Sequence, residues 1–170
     1  MTTLHLMVGL PCSGKTTKAE TLEKEYNALL LTPDKWHIKL FGNETHLTDH
    51  NDHDQKHSAV EKLLWEIAAR VLSLGVDVIL DFGFWAKTER VFFINKSKEM
   101  NVNCKIHYMD VSEEELFKRL DERNSKLPEE AFKIPKEYMR EYIKQFQPVG
   151  QDELRGIIDD GTAGKWYDFT

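Results

Sequence analysis

No apolar run in the 170 residues approaches the ~20 needed to span a bilayer. Met1 to Val8 lacks the basic start and long apolar stretch of a signal peptide, so a cytoplasmic location without a membrane partner is expected. Cysteine is scarce: Cys12 and Cys104 cannot build a disulfide framework, which fits a reducing compartment. Positive charge is in deficit too, with 23 Lys and Arg against 29 Asp and Glu and a net charge of −6. That disfavours a long footprint on nucleic acid, which usually comes with a basic domain. With 41% hydrophobic and 31% charged residues, residues 1–170 read as a single globular domain long enough to bury a substantial core.

Against these absences stands one dense motif. Gly9-Leu10-Pro11-Cys12-Ser13-Gly14-Lys15-Thr16 is a complete G-x-x-x-x-G-K-[ST] phosphate-binding loop (P-loop, Walker A), followed by Thr17. Leu4, Leu6, Met7 and Val8 supply a buried strand before it, and Lys15 to Tyr26 supply helix formers after it. Backbone N–H groups of such a turn and the helix N-terminus converge where a di- or triphosphate would sit. Lys15 would reach the β- and γ-phosphates, and the Thr16 hydroxyl would complete a Mg²⁺ shell. Cys12, beside a helix N-terminus, is either a thiol of lowered pKa or an ordinary loop residue.

The order of the following elements predicts an α/β architecture. Ala28 to Leu31 is a short apolar run stopped by Thr32-Pro33-Asp34, with Thr32 as N-cap and Pro33 at the first helical position. Val60, Leu63, Leu64, Ile67, Ala68, Val71 and Leu72 repeat at three- and four-residue spacing up to Gly75, as in a long amphipathic helix. Val76 to Phe82 reads as a strand buried on both faces, Ala86 to Met100 as helix, and Cys104 to Met109 as strand. Ser112 opens a further helix with the capping box Ser112-Glu113-Glu114-Glu115. This alternation predicts a three-layer sandwich with a mainly parallel sheet, whose ligands bind beyond the strands' carboxyl ends. The phosphate loop, Asp34 and Asp81 all fall on that edge.

Asp34 lies 19 positions after Lys15 at the end of the second strand. There it either takes the proton of an attacking hydroxyl or only complements a helix dipole. Asp81 closes Val78-Ile79-Leu80, the hydrophobic-strand-plus-Asp pattern that orients Mg²⁺ in phosphate-loop enzymes. The triplet Asp81-Phe82-Gly83 occurs in protein kinases as well, but none of their companion motifs is present. Phe84 and Trp85, with Trp36 and His37, either wall a substrate pocket or belong to the core. Residues 116–146 read as a helical lid, with Arg119 and Arg123 one turn apart and breaks at Pro128 and Pro135. Closed over a nucleotide, those guanidinium groups would meet phosphoryl oxygens; the alternative is a solvated charged helix pair. His46, His50, His53 and His57 with Asp49, Asp52 and Asp54 form an odd stretch, in which His53 and His57 have an i, i+4 spacing compatible with zinc. A solvated insertion is the simpler account. The tail after Phe146 would supply either part of an adenine pocket or a last strand through Ile157-Ile158.

The loop, the Asp about twenty positions on, the Val78-Ile79-Leu80-Asp81 strand end followed by Arg90, and Arg123-Asn124-Ser125-Lys126 before Ile134-Pro135 together resemble the kinase domain of polynucleotide kinases. More broadly they resemble small P-loop kinases carrying an AAA-type domain label, similar to chloramphenicol phosphotransferase and zeta-toxin kinases. The likeness covers roughly residues 4 to 150. It implies a P-loop NTPase fold and transfer of the γ-phosphoryl group of ATP to a hydroxyl. It also implies Asp34 as general base, Lys15 and Thr16 on ATP and Mg²⁺, Asp81 in the active centre, and Arg123 as a lid arginine. The expected nucleotide contacts are then Gly9, Pro11, Cys12, Ser13, Gly14, Lys15, Thr16, Thr17, Arg119 and Arg123, with Asp34, His37, Asp81, Phe84, Trp85 and Arg90 toward the acceptor. Two departures stand out: His37 and Leu127 occupy positions where polynucleotide kinases carry basic residues. They favour a small hydroxyl-bearing acceptor over a 5′-hydroxyl polynucleotide. A nucleotide-dependent switch with slow ATPase activity is the alternative from a different class.

Overall fold

The computed structural model describes residues 1–42, 50–126 and 131–154. His46, Asp49, Leu127, Pro128, Ile157 and Ile158 lie outside them. Strand β1 (Thr3–Val8) is buried at every position from Leu4 onward, so both of its faces must be covered, and it takes the interior of the sheet. The sheet runs β2 (Leu29–Leu31), β3 (Val78–Gly83), β1, β4 (Asn103–Tyr108), with every pairing parallel. Because side chains alternate across a strand, Leu4, Leu6, Val8, Val78 and Leu80 share one face. There α3 (His50–Ser73) brings Val60, Leu64, Ala68 and Leu72, and α4 (Lys87–Glu99) brings Phe93 and Ile94. Met7 and Ile79 face the other way, onto Ala19 and Leu22 of α1 (Lys15–Tyr26). Helices on both faces of a parallel sheet make the expected three-layer sandwich.

The connections after β1 and β3 leave in opposite directions, toward β2 and toward β4. The crevice therefore opens between their carboxyl ends. Register confirms it: Leu6 pairs with Leu80, the ladder shifts, and Val8 then pairs with Gly83, bringing the phosphate loop beside Asp81. Past β2, α2 (Pro33–Phe41) starts at Pro33. Two further helices, α5 (Glu113–Ser125) and α6 (Lys136–Gln145), form the pair expected as a lid. They share a small core of Leu120, Ile134 and Met139 against Phe117, Tyr138 and Tyr142. Asn124 ties the end of α5 to the segment before α6, donating to the Ile134 carbonyl (2.7 Å) and accepting from its N–H (3.4 Å). The one-turn helix α7 (Gln151–Leu154) follows. Among the described residues no helix is long and apolar enough to cross a membrane.

Three local expectations are corrected. The third strand begins at Val78, because Val76 stays 41% exposed ahead of the sheet. Thr32 occupies the N-cap position of α2, but its hydroxyl makes no capping bond and is buried. Ser112 caps α5 by accepting from the Glu115 N–H, yet the Glu115 carboxylate turns to the Arg119 guanidinium (2.8 Å) instead of closing the box. A bond between two charged groups wins over one to a neutral N–H.

Candidate active site

The phosphate loop is shaped by backbone that few side chains tolerate. Gly9 has φ +154°, and a Cβ there would sit 2.8 Å from Ser13 Oγ and 3.2 Å from the Met109 carbonyl. Gly14, with φ +92°, turns the chain into α1. Between them Cys12 takes a left-handed φ of 64°, an uncommon conformation for a non-glycine residue that concentrates at functional turns. The Ser13 N–H closes the turn on the Leu10 carbonyl at 3.2 Å.

Charge is then placed around this turn. Lys15 Nζ donates to the Leu10 carbonyl (2.9 Å), and Thr16 Oγ1 donates to Asp81 Oδ2 (2.7 Å). Burial lowers the proton affinity of Lys15 below the usual lysine range, against the opposing pull of Asp81 and Asp34. Burial likewise raises the Asp81 carboxyl, opposed by Lys15 and Thr16. Both groups are thus short of compensating charge, and an anion and a cation added together would supply it. Asp81 Oδ1 and Ser13 Oγ are buried without a hydrogen-bond partner among the described residues. Such orphaned buried oxygens call for an explanation. The set fits a magnesium-bound nucleoside phosphate, held by Lys15, Thr16 and Asp81.

The two arginines of α5 lean onto the loop. Arg119 Nη1 reaches the Ser13 carbonyl (3.4 Å) and the Cys12 carbonyl (3.5 Å); Arg123 Nη1 approaches Cys12 Sγ (3.7 Å) while Nη2 donates to the Phe132 carbonyl (3.1 Å). Both line a cleft of about 1630 Å³ together with Pro11, Cys12, Gly14, Lys15, Thr16 and Thr17. Gly9 and Ser13 stand behind that wall.

Across the cleft, Asp34 sits in the first turn of α2 with its side chain 53% exposed. Its charge is felt at Lys15, Asp81 and His57. Phe84 is both lining and core: it stacks on Phe82 (5.5 Å) and meets Phe93 edge-on (5.0 Å). Trp85 lines the cleft against Tyr142 of α6, 4.7 Å between ring centroids.

Two residues expected toward the acceptor are placed elsewhere. His37 is fully buried, because its position on α2 carries it into the interface with α3. There it packs against His53 (4.5 Å), Phe41 (5.3 Å) and Phe132 (5.4 Å). Arg90 is buried as well, paired through Nε and Nη2 with both oxygens of Glu153 (2.6 and 3.0 Å). Its Nη1 donates to the Phe84 (3.0 Å) and Trp85 (3.2 Å) carbonyls, so it braces the cleft wall from behind. It also supports the left-handed backbone of Phe84, φ 45°. The histidine stretch is corrected too. Its described part is the first turns of α3, with His53 buried, and it is no solvated insertion. No group of three metal-binding side chains is assembled among the described residues. Sequence reasoning missed Glu61, buried on the cleft wall; its one signal is an acid on the otherwise apolar stripe of α3.

The sequence matches the AAA domain family over residues 4–149. No curated protein sequence matches the chain. Among solved structures, Chaetomium thermophilum Kti12 in complex with ADP-AlF3 superposes with a TM-score of 0.68 at 19% identity, covering 92% of this chain and 86% of that one. A subunit of the Pnkp1/Rnl/Hen1 RNA repair complex matches with a TM-score of 0.63 at 22% identity; 85% of this chain spans only 43% of it. A sugar kinase from a Janibacter species matches with a TM-score of 0.59 at 16% identity, covering 89% and 82%. These likenesses are of fold. With the family match covering most of the chain, and a phosphate loop built as the nucleotide-binding fold requires, the chain belongs to the AAA domain family.

Proposed function

We propose that this protein is a cytoplasmic kinase that transfers the γ-phosphoryl group of ATP to a hydroxyl of a small-molecule acceptor. The observation that carries this reading is the placement of Asp34. A carboxylate stands across one cleft from the phosphate loop, within electrostatic reach of Lys15, where a general base for an attacking hydroxyl is needed. Lys15, Arg119 and Arg123 bind and orient the phosphates, and Asp34 accepts the acceptor's proton. Mg²⁺ held by Thr16 and Asp81 would supply neutralising charge to the phosphate oxygens. The aromatic wall of Trp85, Tyr138 and Tyr142 excludes water.

A small acceptor is favoured over a polynucleotide because the cleft, besides Lys15, Lys35, Arg119 and Arg123, is lined by Asp34, Asp54, Glu61, Glu89 and Glu141. Those carboxylates repel a phosphodiester backbone. The Kti12 and sugar kinase folds accord with nucleotide-driven chemistry on this scaffold. The test is ADP release from ATP and Mg²⁺ across a panel of hydroxyl compounds and 5′-hydroxyl oligonucleotides. The expected result is acceptor-dependent ADP release that falls by roughly 10²–10⁴ in Asp34→Asn, with ATP affinity retained there and lost in Lys15→Ala. Slow ADP release indifferent to every hydroxyl compound and to Asp34→Asn would replace this reading with a nucleotide switch. Selective use of oligonucleotides, with a steep salt dependence, would replace the acceptor class.

A further inference from the structure

One side chain on the acceptor wall has no part in the transfer described above. His57, on α3, places Nε2 3.9 Å from Asp34 Oδ1 and 3.6 Å from Glu61 Oε1. The imidazole therefore lies between the carboxylate proposed as base and a second carboxylate one helical turn along its own helix. Glu61 is only 3% exposed, and its Oε2 has no hydrogen-bond partner among the described residues. A buried carboxylate is expensive unless a positive group compensates it, and His57 stands in position to do so.

We propose that His57, seated on Glu61, is a positioning residue that holds the Asp34 carboxylate toward the acceptor. The inference rests on the kinase reading. Asp34 is short, half-exposed and at a helix start, so its carboxylate has few constraints of its own. Lys15 attracts it electrostatically, and His57 Nε2 attracts it from 3.9 Å. A base held by both stands on the cleft wall where the acceptor hydroxyl must enter.

The groups facing the imidazole are Asp34 and His37 from α2, and His53, Asp54 and Glu61 from its own helix. Phe132 closes the cluster over His37 and His53. Burial works against a proton on His57, but Glu61, Asp34 and Asp54 together hold its proton affinity above the ordinary histidine value of 6.5. With a folded value above the unfolded one, the ion pair is fully present below pH 6.5 and is lost as pH rises through the folded value. Turnover limited by Asp34 placement then declines on the alkaline side.

Two measurements on the full chain test this, neither requiring the acceptor to be known. The first is an NMR titration of the His57 ring, assigned by comparison with His57→Gln, in the wild type and in Glu61→Gln. The second is the pH profile of ADP release from ATP and Mg²⁺ with water as acceptor. His57 is expected to titrate above 6.5 in the wild type and lower in Glu61→Gln. The alkaline limb should move to lower pH in Glu61→Gln and vanish in His57→Gln, whose neutral rate falls by roughly fivefold, the scale of a partly exposed ion pair. His57→Arg should restore the rate without the limb. A His57 ring that titrates at or below the ordinary value, or ignores Glu61→Gln, overturns the proposal. So does an alkaline limb that survives in His57→Gln. Loss of turnover in Asp34→Asn but not in His57→Gln defeats this inference alone, whereas wild-type turnover in Asp34→Asn defeats the kinase reading itself.

Discussion

Replacing Glu153 by Ala removes one half of an ion pair whose two side chains have no solvent exposure. Arg90 would keep its bonds to the Phe84, Trp85 and Pro148 carbonyls, but its charge would lie buried without an anion. Breaking a buried pair from one side costs about 3–5 kcal/mol, mostly the penalty of the stranded charge. The Gly150 N–H, which donates to Glu153 Oε1 at 2.9 Å, loses its acceptor as well. In a domain of this size each kcal/mol moves Tm by about 2–4 °C, so Glu153→Ala should melt roughly 6–20 °C lower. Thermal denaturation followed by circular dichroism reads this directly. The double variant Arg90→Met with Glu153→Leu should recover much of the loss, since an apolar pair of similar volume carries no desolvation penalty. A Glu153→Ala melting point within about 2 °C of the wild type, or losses that simply add in the double variant, would refute the argument that this pair braces the cleft wall.

The His5–His107 contact across β1 and β4 (2.9 Å) predicts acid sensitivity. Burial and the adjacent His5 lower His107 to about 4 from the usual 6.5, so its contribution is fully present above 6.5 and lost as pH falls toward 4. The urea midpoint should drop between about pH 7 and about pH 5, and His107→Gln should narrow that drop; an equal drop in the variant would exclude this pair as the cause. The two thiols should separate cleanly. Burial pushes Cys104 up to about 12, so iodoacetamide at mildly alkaline pH should modify Cys12, on the cleft wall, and ATP should slow that modification. Labelling of Cys104 first, or no protection by ATP, would contradict the placement of the loop.

What the sequence determined by itself was the order of elements and the phosphate loop, which depend on neighbours in the chain. The phosphate loop needs a strand, a glycine turn and a helix in succession, and residues 3–26 contain all three, so Lys15 and Thr16 were legible from spacing. Asp34 and Asp81 were legible for a related reason: each closely follows an apolar run that forms a strand of a parallel sheet, and parallel strands end at one edge. Tertiary structure alone decided the fate of charged and polar residues whose partners are distant. Arg90 read as a substrate contact until Glu153, 63 positions away, met it inside the protein. His37 read as an acceptor contact and His53 as part of a solvated insertion until α2 packed on α3. Glu61 drew no reading from the sequence, yet the packing of α3 buries it on the cleft wall. Helical and strand periodicity states which face a side chain takes, but whether a charge on that face is buried depends on a counter-charge arriving from elsewhere in the chain, and only the fold brings the two together.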